Sequence, residues 1–486
     1  MPKTLGKVLL SAAVVVMTAA CAMQPTRPAT AAGEPAVQLD PAALRPNIVL
    51  ILADDLGMGQ IGAYGARHFH TPEIDALAAS GTRFTDTYAG GPVCSPSRVS
   101  MMTGRDSFLL GGNTNALKLE GGDRTFVHLL QAAGYDTMLI GKYGIGSDIG
   151  VNDPQEMGFD HWIGLLDNIS AHRQYPDHIF RDRSYDLVAP NLGRERGLYA
   201  QELFTREAEN FIAAKRDTPF FLLLAYTTPH AELAAPERFV ATYRGRFDET
   251  RYNGRTGADS DDAYARFYPE PIEQPNAVMA GMVAALDEYV GRIVDAVAAR
   301  GIERETLILF TSDNGPHEEG GARPSQLWSA GGLRGLKRDL FDGGIRVPMI
   351  AYWPGRVRAG ATSDEPWAFN DLLPTFSKLA GISTDAVQGI RSNGVSVVPL
   401  LLDNGAELPE RVIYWEFASL ISQGNARREV VVQAARSGNW KAVRYGIGTP
   451  VQIYDMTNDD GEQRDIARGQ TEMAERYRTL FDGQLD

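Results

Sequence analysis

The stretch NIVLILADDLG, residues 47–57, decides the fold. Its apolar core, Ile48 to Ala53, shows no in–out alternation and stops abruptly at Asp54-Asp55 and then a glycine. A run of this length and character reads as a strand buried on both faces. Four further runs share the pattern: TMLI at 137–140, PFFLLLAY at 219–226, TLILFT at 306–311 and PMIAY at 348–352. Between them lie helical patterns at 73–79, 125–133, 200–214, 278–299 and 370–379. Alternation of this kind predicts an α/β fold, a large mostly parallel sheet sandwiched by helices. Ligands of such sheets bind at the carboxyl ends of the strands.

Past about residue 405 the texture changes. Short strand-like pieces at 412–417, 430–435, 440–445 and 451–454 follow one another without long helices, and a final helix is expected around 472–481. This predicts a smaller C-terminal antiparallel sheet and terminal helix. At the other end, Lys3 and Lys7 precede an apolar run at 8–20, too short to span a bilayer but suited to a secretory signal. Ala19-Ala20-Cys21 resembles the lipobox of bacterial lipoproteins, whose cysteine is lipidated and becomes the mature N-terminus. Thr18 departs from that motif, and an ordinary signal cleaved nearby is the other reading. The expected organisation is a lipoprotein-type signal at 1–21 and a flexible Ala/Pro/Thr-rich tether at 22–45. A catalytic domain at 46–404 and a C-terminal subdomain at 405–486 complete it. Export is implied, to the bacterial periplasm or as an outer-membrane-anchored lipoprotein with Cys21 as the lipid anchor. No stretch after residue 45 is apolar over a bilayer-spanning length. The formal net charge of −14 argues against nucleic acid as a partner.

The expected strand ends carry the chemistry. Asp54-Asp55 closes the first strand and Asp313-Asn314 the fourth. Adjacent carboxylates after a buried strand repel one another and lose solvation unless a cation compensates. One such pair alone is more often a helix cap or a solvated turn; two at equivalent strand ends favour a hard-oxygen site for Ca²⁺ or Mg²⁺. Lys142 follows the second strand, His230 the third, and Lys337 lies ahead of the fifth. Singly these are surface lysines and a structural histidine. Converging on the metal edge, they would form a pocket for a tetrahedral dianion. Cys94 is one of two cysteines, and with Cys21 in the export segment it has no disulfide partner. Pro96 suits a first helical turn, which puts Cys94 at a helix N-terminus with Arg98 one turn on. On composition this would be a reactive thiolate in an accessible cleft.

Cys94-Ser95-Pro96-Ser97-Arg98 with Thr103-Gly104-Arg105 resembles the C-x-P-S-R-x-x-x-x-T-G-R signature of type I sulfatases, which maturation enzymes read to oxidise the cysteine to Cα-formylglycine. The likeness runs from about Pro46 to the C-terminus and includes ADDLG at 53–57, GKYGIG at 141–146, TTPHAEL at 227–233, SDNGPHEEGG at 312–321 and RGLKRDLFDGGIRVP at 334–348. It resembles the arylsulfatase A-like branch of the alkaline-phosphatase superfamily. The resemblance implies one Ca²⁺ per chain, held by Asp54, Asp55, Asp313 and Asn314 with residue 94 beside it. It also implies a formylglycine hydrate at 94 that attacks sulfur, a formylglycine-generating enzyme as partner, and a sulfated small molecule or carbohydrate as substrate. Arg98 would steady the hydrate, Lys142 and Lys337 would neutralise sulfate, and His230, shared with Lys337, would protonate the leaving oxygen.

One departure stands out. Relatives often carry G-K-x-H, and here the last position is Gly144. His172 is a candidate for the vacated space, the other readings being a substrate-contacting or a structural histidine; His317 is a weaker candidate. The polar insertion at 243–276 and Trp328 are candidates for substrate contact, the insertion otherwise being a solvated loop. Two rival functions remain at this point. One is a phosphatase or phosphonate monoester hydrolase of the same superfamily. The other is a non-catalytic lipoprotein that binds sulfated glycans.

Overall fold

In the computed structural model, which describes residues 40, 44–111, 114–254, 270–403, 405–423 and 426–484, an eleven-stranded sheet forms the frame. The signal-type segment with Cys21, and residues 22–39 and 41–43 of the expected tether, lie outside the described residues. In chain order the strands are β1 (Asn47–Asp54), β2 (Thr82–Tyr88), β3 (Asp136–Lys142), β4 (His161–Leu165), β5 (His178–Arg181), β6 (Ser184–Leu187), β7 (Phe220–Pro229), β8 (Thr306–Ser312), β9 (Arg346–Tyr352), β10 (Ala361–Ser363) and β11 (Trp367–Ala368). Across the sheet they run β10-β2-β9-β8-β1-β7-β3-β4-β5-β6, with β11 alongside β2. The five from β8 to β4 are parallel, so their carboxyl ends share one edge.

β1 lies between two parallel neighbours, Leu50 paired with Leu223 of β7 and Leu309 of β8. Ile48, Leu50 and Leu52 enter one core, while Val49, Ile51 and Ala53 enter the other. That double burial is why the sequence shows no polar alternation there. Helices Pro72–Ser80, Ala200–Ala213 and Pro275–Arg300 cover one face, and Cys94–Thr103, Phe126–Ala132 and Leu372–Ala380 the other. The expected α/β class is what forms. Several strands had no apolar run to announce them. β2 (TRFTDTY) leaves Arg83 and Thr85 half-exposed, β4 is five residues interrupted by Gly164, and β5–β6 is a polar hairpin.

β9 runs antiparallel to β8, so its beginning, not its end, reaches the carboxyl edge of the parallel strands. The segment preceding it, with Lys337, is delivered to that edge for this reason. A separate antiparallel sheet follows: β12 (Ile413–Gln423), β13 (Ala426–Ser437), β14 (Trp440–Tyr445) and β15 (Gln452–Asp455). One face packs Trp415, Phe417 and Tyr454 against Tyr88, Val93, Leu340 and Phe341. Its other face lies under the final helix, Thr471–Gly483, through Tyr477 and Phe481. The small sheet thus buttresses both the start of the Cys94 helix and the Lys337 segment.

Candidate active site

Four oxygen-bearing side chains meet where β1 and β8 end. Asp54 is the last residue of β1, and Asp55 turns the chain there with a left-handed φ of 66°. Its N–H donates to Asp313 Oδ1 at 3.1 Å. Asp54, Asp55, Asp313 and Asn314 are all fully buried. Each acid is met by a cation from a different element. Lys142 Nζ, at the end of β3, is 2.8 Å from Asp54 Oδ2; Lys337 Nζ is 2.7 Å from Asp55 Oδ2; Arg98 Nη2 is 2.8 Å from Asp313 Oδ2. Arg98 also donates from Nη1 to the Lys142 carbonyl at 2.7 Å. Burial, and then the nearby Asp54 charge, push Asp313 up to about 6 against the pull of Arg98. Burial alone would raise Asp55 too, but Lys337 and then His230 hold it well below the carboxylate range.

Asn314 Nδ2 donates to Asp55 Oδ1 at 2.7 Å, which leaves its Oδ1 buried with nothing to accept from. A sealed amide oxygen without a donor is costly. Beside three carboxylates it suits a hard cation, and with Asp54, Asp55 and Asp313 it forms an oxygen donor set for Ca²⁺ or Mg²⁺. A second group, Asp55 with His317 and Glu319, is closed by the protein itself. His317 donates from Nε2 to the Pro229 carbonyl at 2.9 Å, and its Nδ1 accepts from the Glu319 N–H at 3.0 Å. Lys337 Nζ stands between Asp55 and Glu319 Oε2, 3.8 Å from the latter.

Cys94 opens the helix Cys94–Thr103, its Sγ 3.3 Å from Asp54 Oδ1 and 4.0 Å from Asp55 Oδ1. Two expectations are corrected here. Cys94 is only 1% exposed, at the base of a small pocket, and does not lie in an open cleft. Burial and the Asp54 charge push its thiol well above the usual range, so as a cysteine it is not a thiolate. The helix N-terminus is also partly spent, since the Ser95 N–H donates to Asn115 Oδ1 at 3.2 Å.

His230 directly follows β7. Its Nδ1–H donates to the Ala231 carbonyl, which leaves Nε2 to accept from Lys337 Nζ at 3.0 Å. Burial, and then Lys337, hold its basicity well below normal. His172 lines the same pocket but is not beside Gly144. It ends a single helical turn, Ser170–His172, whose last carbonyl accepts from the Glu232 N–H at 3.0 Å. That anchors its ring edge-on to His230, centroids 4.6 Å apart, with Nδ1–H donating to the Ala231 carbonyl at 3.2 Å. Burial and then His230 lower its pKa to about 2, which makes it a weak proton acceptor. The space above Gly144 is taken by Asn168, whose Oδ1 would lie 2.9 Å from a Cβ at that position.

Trp328 packs under the Arg67 guanidinium at 3.6 Å, away from the pocket at Cys94. Of the 243–276 insertion, residues 255–269 lie outside the described residues, and Tyr252 and Ile272 exchange backbone hydrogen bonds. Sequence reasoning missed four pocket residues: Asn115, Asn168, Glu319 and Arg338. Buried Glu319 pairs with Arg338 Nη2 at 2.6 Å, and its place within SDNGPHEEGG was the available signal. Asn115 and Asn168 lie in loops with no pattern to mark them.

The chain is similar to known proteins. The family model described as Sulfatase matches residues 46–382, and the one described as N-sulphoglucosamine sulphohydrolase, C-terminal, matches residues 335–482. Arylsulfatase A of Bos taurus is 30% identical over 468 residues, 89% of this chain and 85% of that protein. N-acetylgalactosamine-6-sulfatase of Canis lupus familiaris is 32% identical over 400 residues, 76% of this chain and 68% of that protein. The crystal structure of Ps i-CgsB in complex with k-i-k-neocarrahexaose matches with a TM-score of 0.70 at 28% identity, covering 88% of this chain and 90% of that one.

Proposed function

We propose that this chain, which belongs to the sulfatase family, hydrolyses sulfate esters of carbohydrates, with small aryl sulfates accepted as model substrates. It is a sulfuric ester hydrolase. The observation that carries the substrate reading is the convergence on Cys94 of two buried ammonium groups, Lys142 and Lys337, each seated on an acid that itself approaches the Cys94 sulfur. Likeness to N-acetylgalactosamine-6-sulfatases and to a structure holding a neocarrahexaose supports a sugar as the esterified alcohol.

Asp54, Asp55, Asp313 and Asn314 would hold one Ca²⁺, which supplies Lewis-acid charge where negative charge develops. Cα-formylglycine, made from Cys94 by a maturating enzyme, supplies as its hydrate one hydroxyl to attack sulfur and a second that permits release. The chain's own residues do the rest. Lys142 and Lys337 present fixed positive charge to the sulfate oxygens, and because both are buried their fields are little screened. Arg98, clamped by Asp313 and the Lys142 carbonyl, cannot swing away and braces the residue-94 side. Lys337 donates to His230 Nε2, so a proton can pass along this pair to the departing alkoxide or phenoxide. The reading places the enzyme outside the cytoplasm, in the bacterial periplasm or tethered to the outer membrane through Cys21.

Mass spectrometry of the peptide carrying residue 94, from a host competent for maturation, tests this together with parallel assays of an aryl sulfate and an aryl phosphate. The expected result is an aldehyde at 94 and faster sulfate turnover. Faster phosphate turnover would establish the phosphatase or phosphonate hydrolase reading instead, and unmodified cysteine with no turnover the glycan-binding one.

A further inference from the structure

Gly144 leaves a gap beside Lys142, and the structure shows what fills it. Gly144 has φ 78°, a conformation that suits glycine, and a Cβ there would meet Asn168 Oδ1 at 2.9 Å and Lys142 Cε at 3.2 Å. A side chain at 144 and Asn168 in its present place are therefore mutually exclusive. The Asn168 amide is oriented by Ser95: Asn168 Nδ2 donates to Ser95 Oγ at 2.7 Å while the Ser95 hydroxyl donates to the Gly144 carbonyl at 3.3 Å. That leaves Asn168 Oδ1 turned to the space over Gly144, buried and without a donor. A buried acceptor held this firmly and left unspent is unusual in a protein interior. Asn168 lines the same small pocket as Cys94, and the residue it grips, Ser95, is the next one along the chain.

We propose that Asn168, which the glycine at 144 admits to this place, is a positioning residue whose Oδ1 accepts a hydrogen bond from the non-attacking hydroxyl of the residue-94 hydrate. The inference rests on the formylglycine reading above. Asn168 cannot remove a proton, so its contribution is to hold the hydrate and orient that hydroxyl. By favouring the hydrate it lowers the population of free aldehyde.

The test uses the matured, Ca²⁺-loaded enzyme and two readouts. Methoxyamine condenses with free aldehyde at residue 94 to give an oxime and water, and the labelled peptide is followed by mass. Asn168→Ala is expected to label about tenfold faster than wild type and to lose about tenfold in kcat with KM little changed. Asn168→Asp keeps an acceptor but loses the Nδ2–H given to Ser95 and adds negative charge beside Lys142, so its labelling should stay close to wild type while KM for the sulfate ester rises. If Asn168→Ala folds poorly, Asn168→Ser, too short to reach the space over Gly144, gives the same comparison. For Asn168→Ala, unchanged labelling with a raised KM would overturn the proposal and make Asn168 a substrate contact; no change in either readout would overturn it outright. Finding only cysteine at 94 in the wild-type protein removes the formylglycine reading and this proposal together, whereas labelled wild type with unresponsive variants removes this proposal alone.

Discussion

Two clusters of buried charge, one at the carboxyl edge of the large sheet and one at its junction with the small sheet, are built to different ends. At the carboxyl edge of the large sheet, Asp54, Asp55 and Asp313 meet Lys142, Lys337 and Arg98. At the junction with the small sheet, Asp86, Asp342 and Glu462 meet Arg346, Arg436 and Lys441. Burial and pairing are alike in the two. The difference is in what is left over and where it faces. The edge cluster reaches a small pocket through Lys142 and Lys337 and keeps two uncharged amide oxygens without donors, on Asn314 among the acids and on Asn168 in the pocket lining. The junction cluster is packed beneath Tyr88 and β12–β15; Lys441 Nζ lies 2.6 Å from Asp342 Oδ1, and Glu462 Oε1, its one oxygen without a hydrogen bond among the described residues, still sits 2.7 Å from that ammonium. Paired buried charge by itself is therefore no mark of a site; unspent acceptors facing a cavity are the better mark.

If that distinction is right, the two clusters respond oppositely to substitution. Cys94→Ala should show the largest effect, loss of turnover by about four orders of magnitude or more, since the group that carries the covalent chemistry is gone. Thermal unfolding should shift little, because one small buried side chain replaces another. An aryl sulfate assay beside calorimetry checks this, and a collapse of the fold would make Cys94 a structural residue. Next in size, Lys441→Met should leave Glu462 buried without its cation and Asp342 with Arg346 alone at 3.4 Å, and lower stability by about 3–5 kcal/mol. Protein still folded at 25 °C should keep its turnover per molecule, as read by denaturant unfolding and by active-site-normalised rates. A large loss of kcat in folded protein would show that the junction positions Lys337 and would blur the comparison.

The smallest effect is one of pH. Burial raises the Glu462 carboxyl to about 7 in the folded protein, against an ordinary 4.5, with Lys441 opposing the shift and Asp342 adding to it. The folded state then keeps a proton that the unfolded chain has released, so stability falls as pH rises from about 4.5 to 7. Glu462→Gln should flatten that decline, measured as unfolding free energy at several pH values. An unchanged slope would show that Glu462 is ionised throughout.

Much of this was legible in the sequence, for identifiable reasons. β1, β7 and β8 are apolar because both faces are buried, and their length and stops follow from that. Asp54, Asp55, Asp313, Lys142 and His230 stand at or next to strand ends, so one periodicity argument placed them all at a common edge. β2 and β4 lacked a continuous apolar run and escaped it. Lys337 precedes its strand, and its arrival at the same edge depends on β9 running antiparallel, which no local pattern signals.

The sequence by itself determined the fold class, the strand ends that carry charge, and the C-S-P-S-R helix start, because each is written in residues adjacent along the chain. Only the tertiary structure decided which acid each cation meets, that Cys94 is sealed and its thiol protonated, and that Asn168 rather than His172 stands over Gly144. Those outcomes depend on distances between segments far apart in the chain, and on which buried atoms remain without a partner once every other contact has been made.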